Sequence, residues 1–270
     1  MWSLKSIYNG NTSYALAISP KLNDIIFSGQ DGLFALQENN NMLEEVFMYP
    51  ECEDMPIRKI EFDHKGRLWA TSEYDGIFVY TFKSSIEDYT VQHLDTTSGL
   101  SGMLNNYMCM LGNRIMICSP DGLHEAIYYK GEFIIVRPID FAKEFIDGSI
   151  GVSQILTDQH QQTWVNTTIG IGKLSEGSSD YSFNNIIPIQ LIPDVFRMYS
   201  YWTTLYIGSG KNLFYYDIST AEKEFDFPVF IRKVILNNDS LLFNGNFIAE
   251  RTINGNTMSC VQQEQSSIIP

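Results

Sequence analysis

The sequence predicts an all-β protein: a β-propeller of about five four-stranded blades, followed by the start of a second β domain. Three observations predict it. First, a Gly (once an Asn) precedes an apolar residue at Gly32-Leu33, Gly76-Ile77, Gly122-Leu123, Gly170-Ile171 and Asn212-Leu213, at intervals of 44, 46, 48 and 42 residues. A period near 45 is the length of one propeller blade. Second, every copy carries an alternating apolar segment, a polar turn and a β-rich run before that position. Alternation at period two marks strands with two distinct faces. Third, helix signal is confined to 139–145 (IDFAKEF), one short amphipathic turn.

The best-formed copy is KIEFDHKGRLWATSEYDGIFVY, from Lys59 to Tyr80. First strands are expected at 15–18, 57–62, 107–111, 152–156 and 195–199. Polar turns follow, clearest as Asp63-His64-Lys65-Gly66 and Asp158-Gln159-His160-Gln161. Second strands are expected at 24–28, 68–71, 115–118, 163–166 and 205–208. Trp69 and Trp164 share one slot there, matched or adjoined by Phe27, Ile117 and Tyr206, and these large residues should pack between blades. The Gly turns then close antiparallel hairpins, because Gly accepts the positive φ that bulky residues resist. Outer strands are expected at 43–47, 89–94, 132–137 and 181–187. The blades therefore fall near 9–47, 57–94, 105–137, 151–190 and 194–227, within one body spanning 1–227. Residues 2–8 read as the outer strand of a further blade.

The pattern changes at Pro228. Val229, Ile231 and Lys233 alternate with Phe230, Arg232 and Val234, and Asn237-Asn238 makes a hairpin turn. Residues 228–270 read as the start of an Ig-like β-sandwich, incomplete because such a domain needs about 100 residues.

Charge narrows the function classes. The 270 residues carry 18 Lys+Arg against 32 Asp+Glu, a net charge of −14. Nucleic acid and anionic membrane surfaces are poor partners for such a chain. No basic segment followed by an apolar core opens the sequence, and no apolar run reaches the roughly 18 residues that cross a bilayer. The four cysteines, Cys52, Cys109, Cys118 and Cys260, form no C-x-x-C pair. Cys109 and Cys118 should flank a two-residue turn at Gly112-Asn113 as diagonal neighbours, and they are expected to remain free thiols.

Ile60, Asp63, Gly66, Leu68, Trp69, Thr71, Gly76, Ile77 and Tyr80 form a pattern that resembles the two-component regulator propeller repeat. Ile155, Asp158, Trp164, Thr167, Gly170 and Ile171 repeat much of it; Asn23, Asn113 and Thr204 stand near the turn where the pattern has Gly. The segment after Pro228 resembles the three-tyrosine β-sandwich that follows such propellers. The resemblance implies the periplasmic sensor region of a Bacteroidetes hybrid two-component histidine kinase, which binds carbohydrate breakdown products. Propellers of that family usually have seven blades, so the chain is expected to be a piece of a longer receptor, with an incomplete ring and no kinase.

Motifs for other chemistry fail on inspection. Gly208-Ser209-Gly210-Lys211 lacks the P-loop's first Gly, where Leu205 stands, and its Ser/Thr, where Asn212 stands. Gly170-Ile171-Gly172 has Ser175 at the third dinucleotide-motif Gly. His64, His93, His124 and His160 have no metal-ligand spacing and read as surface turn residues. No cofactor is expected. A propeller glycosidase would need two carboxylates facing the bond, and the first strands offer only Glu61; Asp63 and Asp158 fit better as turn caps.

Binding is expected on the opposite loop face. Candidate ligand residues are Glu73, Tyr74 and Asp75, with Asp31 and Asp121 in equivalent turns. The crossing loops 48–56, 95–104 and 138–151 border them. Tyr74 would stack on a sugar ring, and the acids would accept hydroxyl hydrogen bonds; the competing reading has Tyr74 packing locally and the acids favouring the turn. The expected partner is an oligosaccharide, with homodimerisation through an exposed edge blade as a further expectation. The alternative is a protein-interaction propeller without a small ligand.

Overall fold

A computed structural model describes residues 13–218, apart from 23, 41, 178, 179, 190, 191, 193, 194 and 211, and four short strands beyond them. The fold is all-β, of the propeller class. Its first blade is β1 (Ala15–Ile18), β2 (Ile25–Gln30), β3 (Gly32–Asn39) and β4 (Met42–Tyr49). The second is β5 (Ile57–Phe62), β6 (Leu68–Ser72), β7 (Ile77–Phe82) and β8 (Tyr89–Leu94). The third is β9 (Tyr107–Leu111), β10 (Arg114–Ser119), β11 (Gly122–Tyr129) and β12 (Glu132–Val136). The fourth is β13 (Val152–Thr157), β14 (Thr163–Thr167), β15 (Gly170–Glu176) and β16 (Tyr181–Pro188). In each of these four the strands lie side by side in chain order. The fifth shows β17 (Val195–Tyr201), β18 (Thr204–Ser209) and β19 (Asn212–Asp217) among the described residues.

Beyond these, β20 (Lys233–Leu236) pairs with β21 (Asp239–Leu242), and β22 (Glu250–Ile253) with β23 (Asn256–Ser259). Leu236 stands opposite Asp239 in that pair; the expected turn residues Asn237 and Asn238 lie outside the described residues. The segments 2–8 and 219–232, and Cys260, lie outside the described residues. The chain divides into two compact units, Leu4–Ile155 with Glu176–Ser182, and Met1–Ser3 with Leu156–Ser175 and Phe183–Pro270.

In the first unit, strict alternation makes one strand serve two interfaces. Leu68, Ala70, Phe78, Tyr80 and Phe82 join Phe27, Leu33 and Tyr49 in one core cluster, on the first-blade side. Trp69, Ile77 and Val79 turn the other way, onto Met108, Ile115, Ile117 and Phe133 of the third blade. All five residues of β6 are buried for that reason. The Trp69 and Phe133 rings meet edge-on at 4.8 Å. Ile117 faces back toward the second blade, so Met116 occupies the side that corresponds to Trp69. In the second unit Trp164 plays the same part, meeting Tyr216 edge-on at 5.7 Å within a cluster that includes Leu205, Ile207 and Phe214.

The polar turns behave as the sequence suggests and do more. Asp63 Oδ1 accepts from the N–H groups of Lys65 and Arg67, at 2.9 and 3.0 Å. Its Oδ2 accepts from Arg67 Nε at 2.6 Å and Trp69 Nε1 at 3.1 Å. The Arg67 guanidinium in turn lies 4.4 Å over the Phe133 ring. Asp158 repeats the arrangement with His160, Gln162 and Trp164.

Three local expectations need correction. The helical turn is only α1 (Lys143–Ile146), because Arg114 binds Asp140 and Phe141 stacks on Tyr181, which hold the preceding residues in another conformation. His124 is buried in β11, 2% exposed, not a surface turn residue. His93 lies on β8, where it stacks on Phe78 at 4.4 Å; pairing opposite Phe78 puts it there. His64 and His160 are exposed turn residues as expected.

Candidate functional site

The second-to-third strand turn of the second blade is held from within. Ser72 ends β6, and its Oγ accepts from the N–H groups of Tyr74 and Asp75 at 3.3 and 3.1 Å. Ser119 and Thr167 end their strands in the same way, accepting from the N–H groups of Asp121 and Ile169, and they also donate to the carbonyls of Gly122 and Gly170. Gly76 closes the turn at φ 69°, and a Cβ there would lie 2.3 Å from the Leu94 carbonyl oxygen. Only Gly satisfies both conditions.

That turn is tied to its neighbours by backbone bonds. Glu73 N–H donates to the Pro56 carbonyl, Asn105 N–H to the Glu73 carbonyl, and Gly76 N–H to the Met103 carbonyl. The 101–106 loop and the start of β5 are therefore fixed beside Glu73. Tyr107 OH reaches Asn105 Oδ1 at 3.3 Å.

Arg58 converges on this point. β5 pairs with β6 through Ile57–Ser72 and then Lys59–Thr71, so Arg58 is the extra residue of a β-bulge. A bulge re-aims a side chain that regular pairing would send elsewhere. Arg58 Nε donates to Glu73 Oε2 at 2.7 Å, and Nη2 donates to the same oxygen. The Tyr14 ring lies 3.9 Å from the guanidinium carbon. Both members of the ion pair stay partly exposed, at 31% and 42% of their side chains. The fifth blade has a bulge at the same register, between Val195 and Arg197.

Of the residues singled out from sequence, Glu73, Tyr74 and Asp75 share this turn. Glu73 is engaged by Arg58, Tyr74 is 49% exposed, and the Asp75 carbonyl lies 2.7 Å from His93 Nε2. Asp31 is exposed and forms an isolated bridge with Pro56 in the crossing segment. Asp121 is exposed, and its carbonyl accepts from Arg137 at 2.6 Å. Asp31 and Glu73 thus both meet the Pro56 backbone, whereas none of the described contacts joins Asp121 to Glu73. Tyr14 and Arg58 were missed. The available signal was a charged residue where β5 should alternate, but a bulge is a pairing event and leaves no pattern of its own.

The first strands carry one acidic side chain among the described residues, Glu61, and it is ion-paired to Lys59 at 3.0 Å. No group of three or more metal-ligating side chains forms among the described residues. No helix there is long and apolar enough to cross a membrane.

No protein-family model matches the sequence, and no curated protein is significantly similar to it. Solved structures are similar in fold. The extracellular domain assigned to a hybrid two-component system of B. thetaiotaomicron matches 85% of this chain at 17% identity and a TM-score of 0.54. This chain spans 29% of that one. A protein from Lactobacillus plantarum matches 81% of this chain and 70% of its own, at 12% identity and a TM-score of 0.50. Virginiamycin B lyase from Staphylococcus aureus covers 77% of this chain at 15% identity, with a TM-score of 0.48. At these identities the likeness concerns the fold alone.

Proposed function

We propose that this chain is the ligand-sensing propeller segment of an extracytoplasmic hybrid two-component receptor, and that it recognises an oligosaccharide. The bulged Arg58, held between Tyr14 and Glu73 beside the exposed Tyr74, carries the reading. A sugar site needs aromatic faces for the apolar side of the ring and fixed polar groups for its hydroxyls. Tyr14 and Tyr74 supply the first; Arg58, Glu73 and Asn105 supply the second. The fold likeness to an extracellular two-component domain and the repeat pattern around Trp69 support the receptor class. Transmission to a kinase would pass through parts of a longer protein.

Calorimetry of the chain against a glycan panel tests this. One class of oligosaccharide should bind, and Arg58→Ala and Tyr14→Ala should each weaken it about tenfold or more, the scale of one lost buried contact. Silence across the panel, or binding indifferent to both substitutions, would overturn the assignment of this site.

A further inference from the structure

Away from that site, three side chains of the first unit form a thiol cluster. Cys109 on β9 stands opposite Met116, and Cys118 on β10 stands opposite Tyr107. The two cysteines are thus diagonal neighbours on one face, free and fully buried, with their sulfurs 3.6 Å apart. Lys59 reaches across from β5 and places Nζ 3.4 Å from Cys109 Sγ. The Ile155 N–H points at the same sulfur from 3.5 Å. Cys109 Sγ therefore receives a thiol, an ammonium and an amide N–H, and all three favour the thiolate.

We propose that Cys109 and Cys118 are a reversible, peroxide-oxidisable dithiol, with Cys109 as the attacking sulfur and Cys118 as the resolving thiol. The electrostatics divide these roles. The Cys118 hydrogen bond, working against burial, and then the Lys59 charge draw Cys109 below the usual thiol range. Burial and the Cys109 hydrogen bond hold Cys118 well above it. Lys59 remains 18% exposed along its side chain, whereas both sulfurs are buried, so an oxidant reaches them on local opening of the strands.

The chemistry balances with a hydroperoxide as the oxidant. The Cys109 thiolate attacks one oxygen of hydrogen peroxide, the O–O bond breaks, and sulfenic acid and hydroxide form. Cys118 then attacks the sulfenic sulfur, its proton leaves with the hydroxyl as water, and the S–S bond closes. Two thiols are oxidised, and one peroxide becomes two waters once hydroxide takes up the proton that Cys109 shed. Bonding must draw the sulfurs from 3.6 Å to about 2.05 Å between diagonal positions.

Cys52 is an internal control. It is equally buried, but its contact is the Tyr80 hydroxyl at 3.1 Å, and burial pushes its thiol up to about 12. The reduced chain should be treated with hydrogen peroxide and mapped by mass spectrometry. A Cys109–Cys118 cross-link, lighter by two hydrogens and reversed by dithiothreitol, should form while Cys52 stays alkylatable. Cys118→Ser should leave a sulfenic acid on Cys109 that dimedone traps. Lys59→Met, shown to be folded by circular dichroism, should slow the reaction about tenfold, and Lys59→Arg should keep the parent rate. No cross-link in the folded chain, or Cys52 oxidising as fast, would overturn the proposal. Should Lys59→Met fail to fold, the dimedone adduct on Cys118→Ser decides: an unlabelled Cys109 overturns the assignment.

Discussion

Trp69 Nε1 donates to Asp63 Oδ2 at 3.1 Å, and the same carboxylate closes the hairpin that precedes the tryptophan. One side chain therefore caps a turn and fixes the ring that faces the next blade. Asp158 and Trp164 repeat the relationship at 2.9 Å. Their difference lies four residues on, where Arg67 adds a cation and Gln162 does not.

That difference sets the first expectation. Asp63→Ala should cost roughly 3–5 kcal/mol, because it strands Arg67 as a buried unpaired charge. Asp158→Ala should cost about 1–3 kcal/mol, the loss of neutral donors' partner. Urea denaturation followed by circular dichroism measures both. Equal costs would show that Arg67 contributes nothing at the first site.

Glycine substitutions should separate strain from space. Gly76→Ala meets both φ 69° and the Leu94 carbonyl at 2.3 Å, and should destabilise by more than about 3 kcal/mol. Gly131 has φ 98° with nothing within 4 Å, so Gly131→Ala should cost only about 1 kcal/mol. Thermal melts of the two variants give the comparison.

Stability should also depend on His124. Burial first, and Arg137 beside it, lower its imidazole from 6.5 to about 4, while Asp121 opposes them. The neutral ring is the folded form, so the unfolded chain takes up the proton first. Stability should be level above pH 6.5 and fall as the pH drops toward about 4, by on the order of 2 kcal/mol. His124→Leu should lack that part of the slope when denaturation is measured across the same range. A parallel slope in both proteins would remove His124 from the account.

Arg58→Lys should separate recognition from stability. Lysine cannot reproduce the Nε and Nη2 fork onto Glu73 or the flat face against Tyr14. Ligand affinity should fall about tenfold, while stability changes by less than about 1 kcal/mol, since the pair is partly exposed. A large loss of stability with unchanged binding would make Arg58 a structural residue.

Much of the fold was readable in advance. The first strands at 15–18, 57–62 and 107–111 match β1, β5 and β9 residue for residue, because alternation and turn chemistry are both local. The diagonal, unbonded Cys109 and Cys118 were also readable, since a two-residue turn fixes register. Of the candidate site, Glu73, Tyr74 and Asp75 were legible as one turn, of which Tyr74 is exposed. His124 was misplaced because nothing local marks a polar side chain that a strand will bury.

Period, alternation and turn residues were enough to define the blades, since each is a property of neighbours along the chain. They could not supply the company those residues keep. Arg58 meets Tyr14 and Glu73 only because a bulge turns it and backbone bonds fix the neighbouring loop. Lys59 meets Cys109 only because β5 and β9, some 50 residues apart, are brought together by burial of the apolar faces between their blades. Contacts between blades depend on which faces exclude water together, and that is decided by the packed structure.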